Sequence, residues 1–405
     1  GDLDIYNNLQ LDADFKREYV DNYSLIYSGG LEISKEKTVK PKTVNRNVLV
    51  IAYLFPPIGG SGVQRTLKYV KYLKRYGWNP VVVTVGEDYC PFGKDFSLLK
   101  EIPSDVKVYR IDHKYTNSEQ LTSDTAQQIV NLIYGVIDDE NIARQYLLKI
   151  KENQSSGRNN IFEPDQYISW ANSVLQAIAG RIDIGAIDLV YTTSAPYSNT
   201  LIGYYLKKKY NIPWVIDFRD EWTNNPFAEY FYKGDLERWN LHRNIEKNMV
   251  KFADKIITVT PNSSDNYRTI FNLPYDKVIT ITNGYDEEDF NHIWIHPNPT
   301  PKFSLLHYGS LYFNRLPENV ILAVNQLIEE RFISRCSVEI SFIGKIDTEL
   351  INRFYLLDHH KIIRYTDYLP HLDCLVEASK SNLLLLPVGK KEKVKAVYTG
   401  KIFEY

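Results

Sequence analysis

The stretch "VLVIAYLFPPIGGSGVQRTLKYVKYLKRYG", residues 48–77, decides the fold class. Its first eight residues, Val48 to Phe55, are apolar without alternation, the pattern of a strand covered on both faces in a parallel sheet. Pro56 and Pro57 end that strand and the glycines turn the chain. Val63, Leu67, Val70 and Leu73 then recur at i, i+4, i+7 and i+10, which is one face of a helix. Strand, glycine turn and helix together open a doubly wound sheet.

The same alternation continues outward. "PVVVTV" (80–85), "VKVYRI" (106–111), "DLVYTTSAP" (188–196) and "PWVIDFRDEW" (213–222) read as strands, the last two joined by the helix-like "SNTLIGYYLKKKYN". After the helix "LERWNLHRNIEKNMVKFAD", the strands "KIITVT", "KVITITNGYD", "FSLLHYGSLY", "SVEISFIG" and "SNLLLLPV" follow. We therefore expect an α/β protein with two Rossmann-like domains, 46–260 and 301–405, joined by a connection over 261–300. Residues 1–45 read as a polar extension and linker. A helix-like insertion over about 113–165 packs on the sheet or forms a lip toward an acceptor or a membrane surface. The chain stops on "TGKIFEY", in what reads as a helix start, and we expect the native chain to continue past Tyr405.

Composition narrows the function. At 405 residues about two domains are expected, and a net charge of −2 gives no general pull toward nucleic acid. Cys90, Cys336 and Cys374 are odd in number and far apart, which argues against a disulfide framework or a zinc site and suits a reducing cytosol. No apolar run approaches the ~20 residues of a membrane span. The expectation is a cytoplasmic protein, with peripheral contact at the inner membrane face left open. The eight histidines show no metal-binding pair, and neither a nucleophile elbow nor a P-loop is present. The Asp12-Ala-Asp14 pair precedes any strand and is read as noise.

Four segments carry candidate chemistry. The loop containing Gly60, Gly62 and Arg65 joins a strand to a helix N-terminus, where backbone N–H groups suit an anion. Arg65 replaces the third glycine of the dinucleotide fingerprint, so NAD is disfavoured. "DFRDEW" places Asp217, Arg219 and Asp220 at a strand's carboxyl end, as a reactive cluster or a salt-bridged corner. "HYGSLYFNR" offers Gly309 and Ser310 at a strand end and Arg315 as a cation for phosphate. "YTGKIFEY" places Gly400 and Lys401 at a helix start and Glu404 one turn in, for an anion and sugar hydroxyls or as an ordinary acidic first turn.

Taken in order, "YLFPPIGGSGVQR", "TTSAPYS", "PWVIDFRDEW", "ITNGYDEEDF", "HYGSLYFNRLPE" and "YTGKIFEY" resemble the retaining GT4-type glycosyltransferases of the GT-B fold, from Val48 to Tyr405. The resemblance implies transfer from a nucleoside-diphosphate sugar to a glycan or lipid-linked acceptor, with no metal ion and no further cofactor. Cell-surface polysaccharide synthesis is the implied setting. It implies that Gly60 and Gly62 approach the donor and that Arg315 and Glu404 hold its diphosphate and ribose. Arg219 and Asp220 would lie at the reacting end, and Asn283-Gly284 would be the hinge. Ser310 stands where the family has a diphosphate arginine, and Ala396 where it has a first glutamate, with Glu392 out of register. Those departures keep a non-catalytic homologue as an alternative; a sugar-nucleotide epimerase of the same fold is a second.

Overall fold

The computed structural model describes residues 46–89, 93–112, 121–155, 163–291, 293, 302–311, 317–388 and 396–405. The polar extension, Cys90, Arg315 and Glu392 lie outside the described residues.

Seven parallel strands form the first sheet: β1 (Arg46–Ile51), β2 (Trp78–Val85), β3 (Lys107–Ile111), β4 (Leu189–Ser194), β5 (Trp214–Phe218), β6 (Lys255–Thr258) and β7 (Val278–Thr280). Their spatial order is β3-β2-β1-β4-β5-β6-β7. β1 is central, with Ile51 opposite Val83 on one side and Thr192 on the other. Val48 to Ile51 are buried, as an unbroken apolar run requires.

A second parallel sheet contains β8 (Phe303–Tyr308), β9 (Val338–Ile343), β10 (Ile363–Thr366) and β11 (Leu383–Leu384), in the order β10-β9-β8-β11. Its β10, "IRYT", was not expected from the sequence. It is a short edge strand whose Arg364 and Tyr365 are exposed, so it lacks the apolar signature of the others.

Helices connect and cover these strands. Those of the first lobe are α1 (Ser61–Tyr72), α2 (Ser123–Tyr134), α3 (Glu140–Ser155), α4 (Ile168–Arg181), α5 (Ser198–Tyr210), α6 (Ala228–Tyr232), α7 (Leu236–Phe252) and α8 (Pro261–Phe271). The short α9 (Glu287–Phe290) lies on the crossing segment. The second lobe carries α10 (Glu318–Glu329), α11 (Thr348–Leu357), α12 (His371–Ser379) and α13 (Lys401–Glu404). The insertion is helical where described, and α2 buries Ile129, Val130 and Ile133 in the first-lobe core.

In α1 the predicted Val63, Leu67 and Val70 are fully buried; Leu73 begins a 3-10 turn. The boundary between lobes falls later than the sequence pattern suggests. Ile256 pairs with Val278, so α8 and β7, within the expected connection, complete the first sheet. The crossing begins after Thr280. Separate apolar clusters fill the lobes: one around Trp170 and Trp214 under the first sheet, and smaller ones around Phe342 and Phe354 and around Leu306 and Tyr308 in the second lobe.

Candidate active site

Each sheet reverses its strand order once, between β1 and β4 in the first and between β8 and β11 in the second. The loops leaving the carboxyl ends of strands splay apart at such a point, which opens a crevice. Both crevices open into one cavity of about 760 Å³, lined from the first lobe by Gly60, Arg65, Arg219 and Asp220 and from the second by Gly309, Ser310, Gly400, Lys401 and Glu404. Residues more than 340 positions apart in sequence thus share one wall-to-wall space.

The opening loop is built for close approach. Gly60 has φ +97, a conformation that favours glycine, and precedes α1 without a side-chain cap. A Cβ on Gly62 would lie 2.5 Å from Arg219 Nη1 and 2.7 Å from Leu54 Cδ1. Gly62 therefore serves the packing of α1 on the loop after β5, and its carbonyl accepts from Arg219 Nη1 at 2.9 Å. Gly59 abuts the Tyr368 hydroxyl of the second lobe, which a Cβ at this position would overlap.

Arg65 and Asp217 are placed differently from what their residue types suggest. Arg65 is 8% exposed, and its five N–H groups are all engaged within the protein. Nε and Nη2 donate to the Asp217 carboxylate at 2.7 and 3.0 Å, Nη2 also to Ile281 O at 2.9 Å, and Nη1 to Thr282 O and Asn283 Oδ1 at 3.0 and 3.2 Å. Burial opposes the guanidinium charge, and the Asp217 carboxylate outweighs it, so the pKa stands above its ordinary value. Asp217 is fully buried and also accepts from the Tyr191 hydroxyl at 2.5 Å. A donor phosphate finds no free N–H on this arginine, and Asp217 is the arginine's counter-ion.

Asp220 differs from both. Its side chain is 45% exposed, it lines the cavity, and its Oδ2 lies 3.6 Å from Arg219 Nε. The loop that carries it is held from below by Glu246 on α7. That carboxylate accepts from the backbone N–H (3.2 Å) and hydroxyl of Thr223 and from the Tyr267 hydroxyl (2.9 Å). Complete burial raises the Glu246 pKa to about 7, partly offset by those hydrogen bonds.

On the opposite wall, Gly309 has φ +120 and its missing Cβ leaves the space that the Lys401 side chain crosses. Gly344, φ +126, packs on Gly309 in turn and brings Lys345 to the cavity beside Ser310. Glu404 accepts from the Tyr308 hydroxyl at 2.5 Å and pairs with His371 Nε2 at 2.9 Å. Burial works against both charges. The pairing, with Asp289 4.0 Å from His371 Nδ1, nevertheless holds the histidine above its ordinary pKa and the glutamate below its own. Ala396 is buried, and its carbonyl accepts from Thr260 Oγ1 at 3.2 Å.

Sequence reading did not single out Lys345, His371, Tyr308 or Tyr368. Lys345 had a usable signal, since Gly344-Lys345 follows the strand "SVEISFI" as Gly309-Ser310 follows "FSLLHY". The others are distinguished only by what they face. One carboxylate triad among the described residues, Glu101, Asp286 and Asp289, has metal-like spacing. The Lys68 ammonium pairs with all three, so a cation of the protein's own already answers their charge.

Residues 144–289 match the family model of Glycosyltransferase Family 4, a span that holds Asp217, Arg219, Asp220 and Asn283. A search of curated proteins finds no match. Among solved structures, the chain is similar to sucrose-phosphate synthase from Thermosynechococcus elongatus, with a TM-score of 0.50 and 11% identity over 84% of this chain and 74% of that one. It is similar also to the N-terminal domain of trehalose-6-phosphate phosphatase from Candida albicans, with a TM-score of 0.51 and 12% identity over 84% and 76%. Such likenesses speak to the fold. With the paired parallel sheets they show the GT-B fold, while the match to Glycosyltransferase Family 4 covers less than half of the chain.

Proposed function

We propose that the chain transfers a sugar from a nucleoside-diphosphate sugar to a glycan or lipid-linked acceptor with retention at the anomeric carbon. The observation that carries the reading is the shared cavity, where Arg219 and Asp220 of one lobe face Gly309, Ser310, Lys401 and Glu404 of the other. The second-lobe wall suits the donor. Lys401 and Lys345 bring positive charge to a diphosphate, and Glu404, held by Tyr308 and His371, offers oxygens to ribose hydroxyls.

In this reading the first lobe binds the acceptor. Its hydroxyl attacks the anomeric carbon on the face from which the nucleoside diphosphate departs, and the leaving β-phosphate oxygen takes the proton. The C–O bond to the acceptor forms as the C–O bond to the diphosphate breaks. Asp220 and Arg219 orient the acceptor and meet developing charge, so the acceleration is orientation plus electrostatics. Lysine ammonium groups then do the neutralising work without a metal ion or other cofactor. A setting in polysaccharide synthesis at the cytoplasmic side of a membrane goes with the acceptor class.

The test is calorimetric titration with UDP, GDP, ADP and CMP and with their sugar conjugates, with and without magnesium, followed by NMR of the anomeric proton of any product formed from the conjugate that binds. Metal-independent binding of one nucleoside diphosphate and a product of unchanged anomeric configuration are expected. Inversion would refute the mechanism, and absence of nucleotide binding would favour a non-catalytic homologue.

A further inference from the structure

We propose that Arg65 is a positioning residue that sets the register between the two walls of the active site, acting through Asn283. The inference rests on the transferase reading above for its catalytic consequence, but its geometry stands by itself.

The first sheet ends at β7, and residues 281–283 are where the chain leaves it. Three of the five Arg65 hydrogen bonds go to those residues, to Ile281 O, Thr282 O and Asn283 Oδ1. The other two go to Asp217, at the carboxyl end of β5, beside the loop that carries Arg219 and Asp220. One planar guanidinium thus ties the end of β5, beside the loop of Arg219 and Asp220, to the start of the crossing segment. A fork with donors along two edges can do this; a single ammonium cannot reach both.

Asn283 extends the tie. Its Oδ1 is taken by Arg65, and its Nδ2 donates to Tyr398 O at 2.9 Å. The orientation of the amide is therefore set by the arginine. Residues 396–400 form a strap whose carbonyls are held from the first lobe at two points, Tyr398 by Asn283 and Ala396 by Thr260. The strap leads directly into Lys401, whose side chain crosses Gly309, and Glu404, whose carboxylate binds Tyr308 and His371 in the second lobe. A line of hydrogen bonds runs from Asp217 through Arg65 and Asn283 to the Tyr398 carbonyl, and the backbone carries it from there into the donor wall. Loss of any link lets that wall shift relative to Asp220, while the contacts of Glu404 within its own lobe stay intact.

The experiment compares wild type, Arg65→Lys, Asn283→Ala and the double variant. Amide hydrogen exchange is followed in the segments 281–286 and 396–405, alongside nucleotide Kd and transfer kcat. Asn283→Ala is partly exposed and spares the buried ion pair, so it guards against a variant that fails to fold. Expected are exchange at least tenfold faster in the 396–405 segment in both single variants, nucleotide Kd within about twofold of wild type, and kcat lowered at least tenfold. The double variant should be no worse than the poorer single. Unchanged exchange in that segment, or losses that multiply in the double variant, would overturn the proposal. A kcat held at the wild-type level alongside a weakened Kd would overturn it too, by placing Arg65 on the donor itself. Were no nucleotide sugar turned over by wild type, the transferase reading would fall, and exchange in the 396–405 segment would still decide on Arg65.

Discussion

Replacing Asp217 with Asn separates a structural carboxylate from a reacting one. The side chain is fully buried, and two of the five Arg65 hydrogen bonds and the Tyr191 hydroxyl converge on it. Asn keeps the volume but removes the negative charge and turns one acceptor into a donor facing a cation. Removing one partner of a buried pair costs about 3–5 kcal/mol. The lower end applies here, because Arg65 keeps three oxygens on residues 281–283. At roughly 2–4 °C per kcal/mol for a cooperative unit the size of the first lobe, its thermal midpoint should fall by roughly 6–12 °C. The assay is circular dichroism melting, with transfer measured well below the transition. Loss of a general base would lower kcat by about 10²–10⁴-fold. A carboxylate that supports the Arg65 tie should lower it by about tenfold in protein that remains folded, as loss of another link of the tie does. A variant that melts with wild type yet has lost all transfer would refute the structural assignment.

Other perturbations report on other parts of the site. Gly309→Ala places a Cβ at φ +120 against Lys401, and strain of about 1–3 kcal/mol should weaken nucleoside-diphosphate binding at least several-fold by titration. The His371–Glu404 pair contributes stability over a defined window. His371, with its folded pKa raised, contributes fully below about 6.5 and loses that contribution as pH rises through the raised value. Glu404, with its pKa lowered, contributes above about 4.3 and loses it as pH falls through the lowered value. Stability from the pair should therefore peak between those pH values and decline on the alkaline side. His371→Asn should flatten that decline in urea titrations from pH 5 to 8. Replacing both Lys68 and Lys71 with Ala leaves Glu101, Asp286 and Asp289 facing one another, so millimolar calcium should raise the melting temperature of the variant and not that of wild type. Trp214→Ala removes a fully buried indole whose Nε1 donates to Thr192 Oγ1 at 2.9 Å, and should cost about 3–5 kcal/mol in chemical denaturation.

The run Val48–Phe55, the glycine turn and the α1 face were sufficient to read a parallel, doubly wound architecture, because period and burial are local consequences of residue type. The candidate segments were legible for the same reason: a glycine or a charge cluster at the end of an apolar strand lies at the edge of a sheet. Which sheet edges meet was not legible in the local pattern; only the family resemblance implied two domains facing across a cleft. Strand order is set by crossover handedness and packing between distant elements, and it alone brings "DFRDEW" opposite "YTGKIFEY" in one cavity. The roles of individual charges likewise waited for tertiary structure. Arg65 and Asp220 look equally reactive as residue types, yet one has every donor engaged in a buried network and the other leaves its carboxylate in the cavity. Sequence carries the type and spacing of a group. Its partners, and so its desolvation, its pKa and its freedom to meet a substrate, come from residues more than 150 positions away, and only the folded chain chooses them.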